Sequence, residues 1–240
     1  MTGSLIVVGT GIGAARLTAE ARAAIEAADQ VLHLIPDPVS VHAVEQLNAR
    51  SRSLDDCYVE GEHRRAAYAR MVEAILEPVR AGERVCAAFY GHPGVFSLPP
   101  HEAVKQARSE GFEATMLPGI SAEDCLFADL GVDPAEAGCQ SYEATRFLER
   151  RPAIEPRAAL VLWQIGVVGS ANHSADPVAP RLEELVDRLR ELYSDEHEVV
   201  VYEASSFVGV APLIRPTPLI GLAAAVTPAS TLYVPPVDPS

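Results

Sequence analysis

No cysteine pair in this chain has the spacing of a metal site. Cys57, Cys86, Cys125 and Cys139 include no CxxC, and no pair of histidines stands beside them at ligand spacing, which argues against zinc. A disulfide framework is not expected in a chain of 240 residues that is 48% hydrophobic. No basic segment precedes the first apolar run of MTGSLIVVGTGIG, so that run reads as a β-strand and not as a signal peptide. No apolar stretch reaches the length needed to cross a bilayer. Positive charge is scarce: 19 Lys and Arg against 33 Asp and Glu leave a net charge of -14. Such an acidic surface repels phosphate backbones and argues against a nucleic-acid partner. The expected setting is a reducing cytoplasm, without metal, membrane or nucleic acid.

What is present is a chain with enough apolar sequence for a sizeable core. Leu5 to Val8 reads as a buried parallel strand, residues 15 to 28 as a helix and Val31 to Ile35 as a second strand. Strand, helix, strand implies a parallel sheet. Further helices are expected over 39–50, 64–80, 101–109, 121–130 and roughly 177–193, and strands near 85–90, 113–117, 159–164, 198–202 and 231–234. Residues 51–63 read as turn, and the closing PPVDPS as a frayed tail. The texture changes at Pro118-Gly119, which divides the chain into an N-terminal α/β domain, 1–118, and a C-terminal α/β domain, 119–240.

Gly9, Gly11, Gly13 and Ala14 satisfy the loose dinucleotide pattern GxGxxA between a strand and a helix. Asp37 stands near the end of the second strand, where a ribose-binding acid would sit. A nicotinamide enzyme and a plain strand-to-helix turn are both open on this evidence.

Three segments put glycine or proline directly after a strand: FYGHPGVF (89–96), LPGISAEDCLFADLG (117–131) and VLWQIGVVGS (161–170). Loops at the carboxyl ends of parallel strands are where α/β sheets bind ligands. Tyr58, Arg64 and Tyr68 form a fourth feature. Arg64 and Tyr68, four apart, share one face of a helix, so that a fixed cation stands beside a phenol and is expected to lower its pKa. Spacing alone equally allows a surface arginine next to a core tyrosine.

Taken together these segments resemble the borosin peptide-backbone α-N-methyltransferases, a group within the tetrapyrrole methylase superfamily. The likeness runs from LIVVGTGIG to TLYVPP and is most specific in FYGHPGVF, MLPGISAEDCLFADLG with GCQSYEAT, and LWQIGVVGS. The resemblance implies two α/β domains with S-adenosylmethionine in a cleft between them, S-adenosylhomocysteine as the product, and a first glycine loop that holds no dinucleotide. By match, Tyr90, Gly91, His92, Val95 and Phe96 line one side of the cofactor, Ser121 and Ala122 another, and Gln164, Tyr202 and Thr231 come from the second domain. It maps the catalytic set onto Tyr58, Arg64 and Tyr68, and it implies a homodimer.

Fused members of that family continue past the TLYxPP strand into the peptide that they methylate. This sequence stops four residues after Pro236, so the expectation is a split enzyme acting on a separate precursor peptide in the making of a ribosomal peptide product. The rival readings are a precorrin-type C-methyltransferase acting on a tetrapyrrole, and a non-catalytic protein that has kept the fold. His92 reads as a contact or structural residue and not as a base.

Overall fold

The structure, a computed structural model, describes residues 3–172 and 179–237. The chain forms two compact units: Met1–Cys125 with Ser205–Val210, and Leu126–Ala204 with Ala211–Ser240.

The first unit opens with β1 (Ser4–Gly9). A single 3-10 turn follows at Ala14–Arg16, and α1 (Ala19–Ala27) begins only after Thr18, whose hydroxyl accepts a hydrogen bond from the Ala21 N–H at 3.1 Å. The helix expected over 15–28 thus starts late, because Leu17 is extended and Thr18 is the better cap. Next come β2 (Gln30–Leu34) and α2 (Pro38–Leu47). The stretch read as turn contains β3 (Ser51–Ser53), whose three polar residues show no apolar alternation. Helix α3 (Arg64–Arg80) has the expected bounds and buries Ala67, Met71, Val72, Ile75, Leu76 and Val79. β4 (Arg84–Phe89), α4 (Leu98–Ser109) and β5 (Glu113–Met116) complete the series. Helix α4 starts a turn before the expected His101: Pro99 and Pro100 fall in its first turn, where a missing N–H leaves no bond unmade.

These strands form one parallel sheet in the order β3-β2-β4-β1-β5. Alternating side chains cover both its faces. Leu5, Val7, Val85, Ala87 and Phe89 pack with α3 and α4, while Val8, Val31, Cys86 and Ala88 pack with Ala21 and Ile25 of α1 and Val44 of α2.

The division between the units falls inside α5 (Ala122–Leu130). The second unit continues through α6 (Pro134–Ala137), β6 (Cys139–Glu143), α7 (Ala144–Arg150), β7 (Ala159–Trp163), α8 (Leu182–Arg190), β8 (Glu198–Glu203), β9 (Leu213–Pro218), α9 (Leu222–Ala225) and β10 (Thr231–Val234). Its sheet runs β6-β7-β10-β8-β9, and only β6 and β7 are parallel. Parallel pairing therefore governs the first unit and gives way to antiparallel pairing in the second. Leu160, Leu162, Val199, Val201, Leu232 and Val234 pack against Phe147 of α7 and Leu185 and Leu189 of α8. The helix expected over 177–193 is observed as α8, and residues 177 and 178 lie outside the described residues, as do the last three of PPVDPS. Among the described residues no helix is long and apolar enough to cross a membrane.

Ile75 is wholly buried between α3 and the sheet. Ile75→Ala should cost about 2–5 kcal/mol through the lost methylenes and the cavity they leave. Urea unfolding should show the transition midpoint falling with its slope unchanged.

Candidate active site

Three loops leave the carboxyl ends of β1, β4 and β5, and three glycines hold them against one another. A methyl group on Gly9 would lie 2.2 Å from the Gly91 carbonyl oxygen and 3.0 Å from the Gly119 Cα; one on Gly119 would lie 2.6 Å from the same carbonyl. Gly91 itself has φ 68°, a left-handed conformation that glycine takes without cost. Gly11 and Gly91 exchange backbone hydrogen bonds of 3.2 and 3.0 Å, and the Thr10 N–H donates to the Phe89 carbonyl at 2.8 Å. The N–H groups of Thr10 and Gly11 are thus spent on the chain itself. Gly13 packs on the Ser206 carbonyl, and Arg16 donates to the Ser205 carbonyl at 2.8 Å.

A dinucleotide site needs a helix to open straight from the loop with its N–H groups free. Here α1 opens at Ala19, capped by Thr18. Asp37 is committed as well: its Oδ1 accepts from the Ser40 N–H at 2.7 Å, capping α2, while its Oδ2 is buried without a partner. The dinucleotide reading gives way to the structural turn.

The same glycine contact brings two further loops together. Tyr90, directly after β4, is hydrogen-bonded to Ser206, and burial raises its phenol above the usual range. His92 Nδ1 accepts from the Gly94 N–H at 2.9 Å, and the Val95 N–H donates to the His92 carbonyl at 3.1 Å, so His92 shapes the turn. Phe96 is held at φ 52° with 45% of its surface exposed. Ser121 opens α5 with a reciprocal cap: its N–H and hydroxyl both donate to Asp124 Oδ2 at 2.7 Å, and the Asp124 N–H returns to Ser121 Oγ at 3.2 Å. Ala122 is the first residue of that helix.

Gln164, Tyr202 and Thr231 belong to the second unit and meet at one end of its sheet. Gln164 follows β7 at φ 61°, and Tyr202 on β8 pairs with Thr231 on β10. The Tyr202 phenol is wholly buried and donates to Asp129 Oδ2 at 2.7 Å, so its hydroxyl is already engaged. Among the described residues Phe96, Arg151 and Gln164 alone carry positive φ without being glycine, and two of them fall in this set. Such strain persists where the surroundings over-determine the backbone, which is common at ligand sites. Sequence reasoning missed Asp124, Asp129 and Ser206; the S-x-x-D spacing of a capping box could have pointed to Asp124, whereas no local spacing betrays the other two.

Tyr58, Arg64 and Tyr68 are brought together within the first unit. The two phenol rings stand edge to face with centroids 6.5 Å apart, and their side chains are hydrogen-bonded. Arg64 is the first residue of α3, with no acidic side chain in that turn. A cation there runs against the helix dipole and adds nothing to helix stability. Its guanidinium makes no hydrogen bond or ion pair among the described residues and is available to a bound group. Burial is the largest influence and pushes Tyr58 up to about 12, Tyr68 reinforces the rise, and Arg64 opposes it without prevailing.

The profile of the tetrapyrrole (corrin/porphyrin) methylases matches residues 4–209. The chain belongs to that family. Family members use S-adenosylmethionine as methyl donor. This tetrapyrrole methylase is 40% identical, over 99% of its length and 63% of the relative's, to a methyltransferase/ribosomally synthesized type I borosin cyclic peptide precursor of Coprinopsis marcescibilis. It is 41% identical, over 98% of its length and 58% of the relative's, to the omphalotin A counterpart of Omphalotus olearius. The chain thus spans about six tenths of the length of these curated relatives. Two solved structures share the fold. Uroporphyrin-III-C-methyltransferase from Thermus thermophilus superposes with a TM-score of 0.67 at 22% identity, covering 98% of this chain and 93% of that one. A cobalt precorrin-4 methyltransferase superposes at 0.69 and 16% identity, covering 97% and 94%.

The chain's own residues fit such a donor. A nucleoside with an amino-acid arm needs apolar surface for its ring and backbone polar groups for its arm. The half-exposed Phe96 beside Val95 offers the first; the bare backbone around Gly91 and Gly119 offers the second. Among the described residues no group of three or more His, Cys, Asp or Glu could hold a metal ion.

The raised pKa of Tyr58 has a stability consequence. Between the free tyrosine value of about 10 and the folded value the unfolded chain releases a proton that the folded chain keeps. The fold therefore loses stability as pH rises through that window, which ends at about 12. Urea melts at successive alkaline pH values should show this decline, and Tyr58→Phe should flatten part of it.

Proposed function

We propose that this chain transfers methyl groups from S-adenosylmethionine to backbone amide nitrogens of a separately supplied precursor peptide, with Tyr58, Arg64 and Tyr68 as the catalytic residues. The reading rests above all on one observation: two hydrogen-bonded phenols beside a guanidinium that makes no hydrogen bond or ion pair among the described residues. The names of the relatives at about 40% identity support it.

In this reading the residues that contact the donor are Tyr90, Gly91, His92, Val95, Phe96, Ser121, Ala122, Gln164, Tyr202 and Thr231. With Tyr202's hydroxyl on Asp129, its contribution is through backbone and ring. When bound, the donor supplies an electrophilic methyl on a sulfonium.

A peptide nitrogen is a poor nucleophile, because its lone pair is delocalised into the carbonyl. Two things help it: removal of the N–H proton and stabilisation of charge on the carbonyl oxygen. Arg64 serves the oxygen, since a guanidinium stays charged at any relevant pH and is preorganised for an oxyanion. Tyr68 relays the proton, passing its own to solvent as it accepts the amide's. Tyr58, kept neutral by burial, is the hydrogen-bond donor that supports negative charge on Tyr68. A homodimer is part of the same reading, tested by light scattering.

Candidate precursor peptides co-expressed with the chain should gain one methylene mass per transfer, with fragmentation placing each on a backbone nitrogen. Tyr68→Phe and Arg64→Ala should each lower turnover by about 10²–10⁴-fold, with S-adenosylmethionine affinity within a few fold of wild type. Wild-type turnover in both variants overturns the catalytic assignment. Methylation of a precorrin in place of the peptide overturns the substrate.

A further inference from the structure

Tyr58 lies in the irregular segment between a 3-10 turn at Asp55–Cys57 and α3, and its position depends on how that segment is tied down. On its amino side the Tyr58 N–H donates to the Asp55 carbonyl at 2.9 Å. The other tie is Arg70, six residues along α3 from Arg64. Arg70 Nε and Nη2 both donate to the Cys57 carbonyl, at 3.1 and 2.7 Å, and that carbonyl belongs to the peptide unit joining Cys57 to Tyr58. The same guanidinium forms an ion pair with Glu62, Nη1 donating at 3.3 Å, which ties down the far side of the segment. One planar fork thus clamps the carbonyl before Tyr58 and a carboxylate four residues after it onto the helix that carries Tyr68.

The pair is partly exposed, the side chains being 42% and 36% accessible, so its worth to global stability is small. Geometry is what it supplies. A guanidinium can reach a carbonyl and a carboxylate at once from one plane, and an ammonium cannot match that fork.

We propose that Arg70 is a positioning residue of the active site: its clamp on the Cys57 carbonyl and Glu62 holds Tyr58 against Tyr68. The inference rests on the Tyr58, Arg64 and Tyr68 reading above. Freed from the clamp, Tyr58 hydrates and separates from Tyr68, while the loops assigned to the donor are untouched.

The test compares Arg70→Ala and Arg70→Lys with the wild-type chain by two measurements, after thermal melts have established that each variant folds. The first is turnover on a methylatable peptide. Arg70→Ala should lower kcat about tenfold with the peptide KM and the S-adenosylmethionine Kd within about twofold, and Arg70→Lys should recover less than half of the loss. The second needs no turnover: ring-carbon NMR of labelled tyrosine, the Tyr58 signal identified by Tyr58→Phe. Wild-type Tyr58 should stay neutral from about pH 8 to about pH 11, whereas in Arg70→Ala it should ionise towards the ordinary value near 10. A Tyr58 signal that stays neutral through that range in Arg70→Ala overturns the proposal, whatever the rate. Full activity in Tyr68→Phe and Arg64→Ala would instead remove the catalytic reading, and the NMR measurement would still decide whether Arg70 holds Tyr58.

Discussion

Gly9, Gly91 and Gly119 meet at the carboxyl ends of three adjacent parallel strands, and the loops around the candidate donor site take their positions from that meeting. The contact is backbone on backbone: a carbonyl oxygen of one loop occupies the space where a side chain of the next would be. No flexible group is interposed, so the loops have little room to slide. The exchange of hydrogen bonds between Gly11 and Gly91 then fixes their register. From there Tyr90 to Phe96 and Ser121 to Ala122 are placed by chain connectivity and by local hydrogen bonds to Ser206, within the His92 turn and to Asp124. The glycine loop after β1 resembles a nucleotide cradle in sequence because both uses need the absence of a Cβ; what differs is the neighbour that takes the vacated space, here the carbonyls of Gly91 and Ser206.

The catalytic candidates are held by a different means, with side chains in place of bare backbone. Here two opposing influences act on one phenol, and their order decides the chemistry. A cation several ångströms away in a partly hydrated setting contributes on the order of 1–4 kcal/mol of Coulomb energy, and solvent screening trims it. Burial of the Tyr58 phenol outweighs it, so Tyr58 stays protonated and offers a hydrogen bond instead of taking a proton. In the proposed reading this divides labour between the tyrosines: one donates, the other accepts, and Arg64 is left for the developing charge on substrate. A guanidinium at the first position of α3, opposed by the helix dipole and lacking a counter-ion there, makes sense as a group reserved for a ligand.

The first unit was largely legible in the sequence. Its strands are short apolar runs buried on both faces, and α3 carries an apolar stripe long enough to fix both ends. What escaped was local. The start of α1 depended on Thr18 outcompeting the residues before it, and β3 is three polar residues recognisable only by their pairing with β2. The second unit was harder because β6 (CQSYE) and β9 (LIRPTP) are half-exposed, and Pro216 and Pro218 argue against a strand unless it lies at an edge, which β9 does. At the site, the grouping of Tyr58 with Tyr68 was suggested by spacing. The balance between charge and burial was not, because it depends on tertiary packing around a loop that spacing cannot describe.

The two kinds of relative separate fold from function. The solved tetrapyrrole methyltransferases share the architecture at 22% and 16% identity, so what they hold in common with this chain is the layered scaffold. The borosin precursors share about 40% of residues across the whole chain. The glycine contact belongs to the scaffold's logic, since joining strand-end loops is useful whatever the acceptor. The phenol pair, Arg64 and the Arg70 clamp are built differently: they stand on the first turns of α3 and on the segment that joins β3 to that helix. A scaffold that fixes its donor-side loops through rigid backbone, and presents its acid–base groups from a separately tied segment, can change acceptor by altering that segment alone. In the proposed reading the candidates of this chain that bear on the acceptor fall within residues 57–70.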